Sequence, residues 1–488
     1  TLYRFKIKIV CKTFFRLEEL YMPVNSFENF PMSWKPNKAK LKPPLYLSIA
    51  EALEQDILNG ELTPNTKLPP QRELADFLDV NLSTITRAFK LCEAKGLIYA
   101  AIGSGTFISP NAVLPKWEKP AEDFIELGLI RPYYQFNSIV ADAARTILQG
   151  EHSDRLFEFN FTLGNMHHKR TAQKWLSTFH VDASCDHIIL TAGTQNALTI
   201  SLLALFQPGD KIVTDAFTYS NFITLAKQLH IQLISVESDE HGMIPDLLER
   251  QCHLSDMKGI YLMPSCNNPT GITIPLERRK ELSRIIQEQN LILIEDDTYG
   301  FIAEEKDIPF FSLIPDHTVY LHGMSKSLSA GLRIAYMVFP HRLQQSILST
   351  ANNINLKIPL LNAEIASKVI EDGIADNIIQ QKRILSKERN LIFKKYFPDN
   401  LNTNPYSFFQ WLPLPSGYNG YQFELQAKER GIHVLCSDRF AVGKTKQTAI
   451  RIAICSPYST NELETGLLAF QKLLAENQKN SRNSEFII

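Results

Sequence analysis

The stretch "VYLHGMSKSLSAGLRIAYMVF", residues 319–339, sets an apolar run directly against Lys326 and then Arg333. The run reads as a buried strand, and the lysine falls just past its end, with Gly323 and Gly331 punctuating the chain on either side. A cation in that place is either a solvated surface charge or a residue turned toward a ligand. The stretch alone leaves both readings open, so the neighbouring sequence has to decide.

Working outward, β-like runs recur before it: "HIILTAG", "KIVTDAF", "IQLISVE", "GIYLMPSC" and "LILIEDD". Most are separated by amphipathic segments such as "IPLERRKELSRIIQEQN". That alternation predicts an α/β body with a mainly parallel, doubly wound sheet, whose ligands bind at the carboxyl ends of the strands. The notable polar residues fall at those ends. "TAGTQNAL" puts Thr194 and Gln195 at a strand-to-helix turn whose free N–H groups suit a phosphate. "FTYSN" supplies Tyr219 as a flat ring, "CNNPTG" supplies Asn268, and "IEDDTYG" supplies Asp296 and Tyr299. "HGMSKSLSAGLR" adds Ser325, Lys326 and Arg333. An amine that forms a Schiff base, a carboxylate that keeps a ring nitrogen protonated and an arginine that pairs with phosphate together suit one ligand, pyridoxal 5′-phosphate.

In order and placement these residues resemble the fold type I aminotransferases, and the resemblance covers residues 123–475. It implies that Lys326 carries the cofactor as a Schiff base and that Asp296 pairs with the pyridine nitrogen. It further implies that Asn268 and Tyr299 bond the ring hydroxyl, that Tyr219 stacks on the ring, and that Thr194, Gln195, Ser325 and Arg333 hold the phosphate. Arg451, in "TAIRIAIC", matches the arginine that takes the carboxylate of an incoming amino acid. Two departures stand out: Gly323 occupies the place of a phosphate-side hydroxyl, and the divergent "NFTLGNMHHKR" puts Phe161 near the place of a tyrosine. The adjacent His167 and His168 in that segment read as surface residues, and no metal site is expected.

Upstream, the pattern is different. "SIAEALEQDILNG", "PPQRELADFLDV" and "NLSTITRAFKLCEAKG" read as three short helices, the last capped by Asn81 or Ser83 and ended by Gly96. "LIYAAIGSGTFIS" then reads as a hairpin, completing a winged helix-turn-helix. Residues 43–109 resemble the DNA-binding domain of the GntR family, with "LPPQRELA", "STITRAF" and "GSGTF" in order. The resemblance implies that Arg72, Ser83, Thr84, Thr86 and Arg87 face DNA, with Gly105 at the wing tip. Short hydroxyls at a helix N-terminus and an arginine one turn on suit phosphates and base edges. Residues 42–109 carry six Lys/Arg against eight Asp/Glu, so any DNA contact must come from a local surface.

Composition agrees with this division. The formal net charge of −1 excludes a global basic field. The seven cysteines are scattered without CxxC or zinc spacing, as suits reduced thiols in a cytoplasmic protein. No apolar run approaches the roughly 18 residues that span a bilayer. Residues 1–42 are expected to be an extension outside the core, 110–122 a linker and 476–488 a polar tail. A GntR-like reader joined to an aminotransferase-like body resembles the MocR group of transcriptional regulators. That implies a homodimer that binds an operator in double-stranded DNA and senses pyridoxal 5′-phosphate, or an amino acid or amine reacting with it. A working aminotransferase that carries a DNA-binding domain is the alternative, and a scaffold without cofactor a third reading.

Overall fold

A computed structural model describes residues 32–59, 61–62, 66–101, 105–109, 124–158, 163–303, 308–400, 404–415, 417–443 and 447–485. The expected linker, 110–122, and Phe161 lie outside the described residues. The chain divides into two compact units, one up to Ala121 and one from Glu122.

In the first unit, α1 (Leu45–Leu58), α2 (Gln71–Leu78) and α3 (Leu82–Ala94) precede the hairpin β1 (Ile98–Ala101) and β2 (Gly105–Ile108). The helices form because Ile49, Leu53 and Ile57 on α1, Leu74 and Leu78 on α2, and Ile85 and Phe89 on α3 recur at helical spacing and close one core. Gly96 adopts φ +69, the left-handed turn that ends α3. Asn81 occupies the N-cap position of α3 but its side chain makes no capping bond there, contrary to expectation. The hairpin pairs Ile98 with Ile108 and Ala101 with Gly105, and Thr66 to Leu68 add to its outer edge through Leu68 N–Thr106 O at 2.8 Å and Ile108 N–Thr66 O at 2.9 Å. The core also starts earlier than expected. Trp34 is buried in it and its indole N–H donates to Asp56 at 2.8 Å, so residues from Met32 on belong to the reader.

The second unit is built on a seven-stranded sheet. Its strands are β3 (Ile188–Thr191), β4 (Lys211–Asp215), β5 (Gln232–Val236), β6 (Gly259–Leu262), β7 (Ile292–Asp296), β8 (Thr318–Gly323) and β9 (Ala335–Val338), in spatial order β3-β9-β8-β7-β6-β4-β5. Neighbours from β8 through β5 pair parallel, while β9 runs antiparallel to both β8 and β3. The fold is therefore a mainly parallel α/β sheet, with one reversed strand. "IAYMVF" is apolar but follows β8 too closely for a crossover helix, so it must turn back and pair antiparallel. Both faces of β3, β6 and β8 are buried, as their continuous apolar runs require. A smaller three-stranded antiparallel sheet of β10 (Gln410–Pro413), β11 (Leu435–Cys436) and β12 (Ala449–Ile452) carries Arg451. The last helix runs through Thr460–Glu485, so the expected polar tail from 476 continues a helix rather than leaving it.

Candidate functional site

The carboxyl ends of β3, β7 and β8 hold three of the expected features. After β3, Gly193 turns the chain at φ +87, a left-handed conformation open to glycine, and starts helix α4 (Thr194–Leu205). A Cβ on Gly193 would meet the Arg333 guanidinium at 2.8 Å, so the glycine is what lets that cation lie against the start of α4. Arg333 itself holds φ +49, is exposed, and its Nη1 donates to the Ser325 hydroxyl at 3.2 Å. Arginine, serine hydroxyl and helix N-terminus thus form one corner able to hold an anion, and beside it the buried Gln195 Oε1 has no hydrogen-bond partner and is an acceptor that an anion does not satisfy.

The absent hydroxyl at 323 has a structural account. A Cβ there would collide with the Thr194 hydroxyl and lie 2.9 Å from the Thr298 hydroxyl, so only glycine fits. The two threonine hydroxyls, 3.2 Å apart, fill the space instead.

Asp296, at the end of β7, is almost fully buried. Its Oδ1 accepts the backbone N–H of Thr298 at 3.1 Å and the Thr298 hydroxyl at 2.6 Å, and its Oδ2 accepts the Tyr261 hydroxyl at 3.0 Å. Burial pushes the carboxyl above its ordinary range, while the Thr298 and Tyr261 bonds pull against that shift. Tyr219 is held near it, since burial and then the charge of Asp296 push the phenol up, and its oxygen accepts from Asn221 at 3.0 Å. The Tyr299 hydroxyl is buried without a partner, a donor left aimed at nothing the protein supplies.

Lys326 lies on the one-turn helix α5 (Met324–Ser327), and its Nζ donates to the Ile130 carbonyl at 3.2 Å. Burial pulls its amine down to about 8; Cys455 opposes the shift, and the positive charges of Arg451 and Arg333 add to it. Arg451 is buried against the rings of Phe440 and Phe409, 4.7 and 5.9 Å from its guanidinium. Its Nη1 donates to Asn268 Oδ1 at 2.7 Å and its Nη2 to the Gly128 carbonyl at 2.5 Å, while its Nε is buried without a partner. Burial lowers this guanidinium to about 10. The structure therefore couples Asn268 to Arg451 directly, which the sequence does not show.

A pyridoxal phosphate fits this set. The orphaned Tyr299 hydroxyl and Arg451 Nε are buried donors that a bound cofactor and carboxylate would satisfy, and Arg333, Ser325 and the start of α4 offer donors to a phosphate. Reading the sequence missed Thr298 and Tyr261. Thr298 had a local signal, since an Asp-x-Thr sequence at a strand end favours a side-chain turn. Tyr261 sits inside an apolar strand and is revealed only by the β6–β7 register, which pairs it with Ile294 two residues before Asp296.

The pair of histidines divides. His167 is half-exposed, but His168 is buried: its Nδ1 accepts the Asn165 N–H at 3.3 Å and its Nε2 lies 2.8 Å from Glu364, so the surface reading is wrong for His168. Its ring closes the capping box of the helix Met166–Ser177. Among the described residues no group of His, Cys, Asp and Glu suits a metal ion, and no helix is long and apolar enough to cross a membrane.

In the reader, Arg72, Ser83, Arg87 and Gly105 are exposed, and Thr84 and Thr86 are partly buried. Ser83 and Arg87 share a face of α3 one turn apart. Arg87 packs over the Tyr46 ring at 4.9 Å, which steadies its stem and leaves its edge to solvent. The Thr86 hydroxyl donates to Gln71 at 2.8 Å and so locks α3 to α2. At the wing, Gly105 takes φ +115 and a Cβ there would meet the Lys67 side chain at 2.9 Å, so a second cation lies beside the tip.

Comparison with known proteins agrees with both halves. Residues 129–469 match the family of class I and II aminotransferases, and residues 45–108 match the bacterial regulatory proteins of the gntR family. The chain is 37% identical over 462 residues to the uncharacterised HTH-type transcriptional regulator YdeF of Bacillus subtilis strain 168, covering 93% of this chain and 99% of that one. An archaeal alanine:glyoxylate aminotransferase superposes with a TM-score of 0.68 at 24% identity, over 72% of this chain and 91% of that one. The α-aminoadipate aminotransferase LysN of Thermus thermophilus, solved with N-(5′-phosphopyridoxyl)-L-leucine, superposes with a TM-score of 0.67 at 21% identity, over 73% and 93%. These last two likenesses speak to the fold.

Proposed function

The chain belongs to the HTH-type transcriptional regulators that join a GntR domain to a class I and II aminotransferase domain, and we propose that it binds an operator and reports the occupancy of a pyridoxal phosphate site. One observation carries this reading. Lys326 donates to the Ile130 carbonyl and Arg451 to the Gly128 carbonyl, so the two cations meant for cofactor and effector both hold the backbone of 128–130. Ser456 ties the same strap through Arg131 N at 3.0 Å. That strap is part of the first described backbone of the body after the 110–122 linker, close in sequence to the reader.

Pyridoxal 5′-phosphate, when bound, supplies an aldehyde for a lysine amine and a ring that withdraws electrons. The protein's residues do the rest. Arg333, Ser325, Thr194 and the N–H groups of α4 hold the phosphate, Asp296 holds the ring nitrogen protonated, Tyr219 faces the ring, and Tyr299 and Asn268 take its hydroxyl. Lys326, low in proton affinity, presents a free amine and gives up the Ile130 carbonyl when it is engaged. A carboxylate on Arg451 competes with Gly128 and Asn268 for the guanidinium. Either ligand thus changes what the strap is bonded to. Such a change regulates only where the two arrangements differ in affinity for the ligand. The protein acts in the cytoplasm as a homodimer on double-stranded operator DNA.

The test is the visible spectrum of purified protein with pyridoxal 5′-phosphate and then with a panel of amino acids, beside its affinity for DNA from its own promoter region. A cofactor band that one amino acid shifts, with a parallel change in DNA affinity, supports the reading. Conversion of that band to the pyridoxamine form with release of a 2-oxo acid turns it into a working aminotransferase. No band at all leaves a DNA-binding scaffold.

A further inference from the structure

A second lysine lies beneath the first. Lys382, midway along helix α6 (Ile374–Tyr396), is completely buried, and its Nζ donates to the carbonyls of Lys326 at 3.0 Å and Leu328 at 2.8 Å. Those carbonyls close the one-turn helix α5, whose cap Leu328 leaves helical geometry at φ −106, ψ −82. A single turn has few backbone donors beyond it for its own last carbonyls, so an amine from α6 serves in their place. Lys382 forms no ion pair with a carboxylate among the described residues. A long apolar side chain would fill the same space without the cost of burying an amine.

The groups around it are few. Lys326 and Cys455 are the titratable groups whose charges reach Lys382. One turn further on, Ser386 bonds the Tyr133 hydroxyl at 2.9 Å, and two turns on Arg389 donates to the Ile454 carbonyl at 2.9 Å. Burial pulls the Lys382 amine below its ordinary range, Cys455 opposes that shift and Lys326 adds to it. The two carbonyl acceptors favour the ammonium form.

Resting on the cofactor reading above, we propose that Lys382 is the positioning residue for Lys326: its amine donates to the turn that carries the reactive amine and clamps it in place. Lys382 touches neither substrate nor cofactor and acts only through α5.

Two variants of the full chain test the clamp. Lys382→Gln keeps a donor one bond shorter than the amine, and Lys382→Met removes it. Each is loaded with pyridoxal 5′-phosphate, and the rate at which the visible band appears is followed by stopped flow. Lys382→Met should form the band about tenfold more slowly, as the turn loses its hold, and Lys382→Gln should restore the rate to within about threefold of that of the unaltered protein. A Lys382→Met protein that loads at the unaltered rate overturns the proposal, and so does a Lys382→Gln protein that loads as slowly as Lys382→Met. Where Lys382→Met does not fold, the Lys382→Gln rate decides alone, and a loss of about tenfold there overturns the proposal. Failure of the cofactor reading is a separate result, since the unaltered protein would then give no band to follow.

Discussion

The reader and the body hold their functional residues in opposite ways. In the reader, Arg72, Ser83 and Arg87 stand in solvent, and of the helix residues meant for DNA only Thr86 has its hydroxyl taken by a neighbour. In the body, Asp296 accepts from Thr298 twice and from Tyr261 once, and Arg451 is tied to both Asn268 and Gly128. The difference is the one that the two proposed ligands would require. A duplex brings its own hydration and counterions and is met at a surface. A small ring has to be enclosed, so every polar group around it must be satisfied by the protein or by the ring itself. Mutations should therefore act locally and mildly in the reader, and steeply in the body.

The sharpest break is Lys326→Ala. It should abolish the visible cofactor band completely, since no other described amine occupies its place after β8, while leaving the reader's binding to non-specific DNA unchanged in a mobility-shift assay. Loss of DNA binding as well would mean that the two regions are not separable. Next comes Asp296→Asn, which replaces a charge-assisted bond to the ring nitrogen by a neutral one. About 1.5–3 kcal/mol is at stake, or roughly ten- to hundredfold in cofactor affinity by equilibrium titration.

In the reader, Arg72→Ala and Arg87→Ala should each weaken operator binding by about tenfold, the lower part of the range for an arginine that contacts DNA. The cofactor band should not move in either. Back in the body, the Lys326 amine held at about 8 fixes a pH profile. The free amine is the nucleophile, and its population grows as pH rises through the folded-state value. The rate of cofactor capture should climb about fivefold between pH 7 and 8 and then level off, whereas an ordinary lysine keeps gaining past pH 10. A rate that goes on rising above pH 9 contradicts the enclosure of Lys326.

How much of this could be read from residues alone also differs between the regions. The winged helix shows in the sequence because its signals are local: helical spacing, a glycine just past α3 and the Gly-Ser-Gly sequence between two apolar runs. The list of body residues is legible too, because strand ends are marked by the change from apolar to polar text. What joins them is not. Gly128 and Arg451 lie 323 positions apart, so nothing local links the strap to the guanidinium. Lys382 reads as one more cation on an amphipathic helix, and only the packing of α6 against α5 shows that it is fully buried. Trp34 sits in text that looks like an extension, and His168 in text that looks like surface. In both cases burial was decided by an element distant in sequence, α1 for the tryptophan and the helix of Glu364 for the histidine.

The smallest effect expected is the most pointed test of the contrast, because Thr86 is the one α3 candidate held as the body holds its residues. Its hydroxyl donates to Gln71 at 2.8 Å and is partly buried between α2 and α3. A hydroxyl already committed to a neighbouring helix has one proton and has spent it, so it can only accept from a ligand, and phosphate oxygens do not donate. Thr86→Val keeps the shape and removes the bond. It should lower the melting temperature of the reader by the few degrees that about 0.5–1.5 kcal/mol represents, and change operator affinity by less than about twofold. An affinity loss as large as that of Arg87→Ala, at unchanged stability, would show that Thr86 leaves Gln71 for the duplex on binding. The reader would then rearrange its hydrogen bonds around its ligand, as the strap of the body is proposed to do.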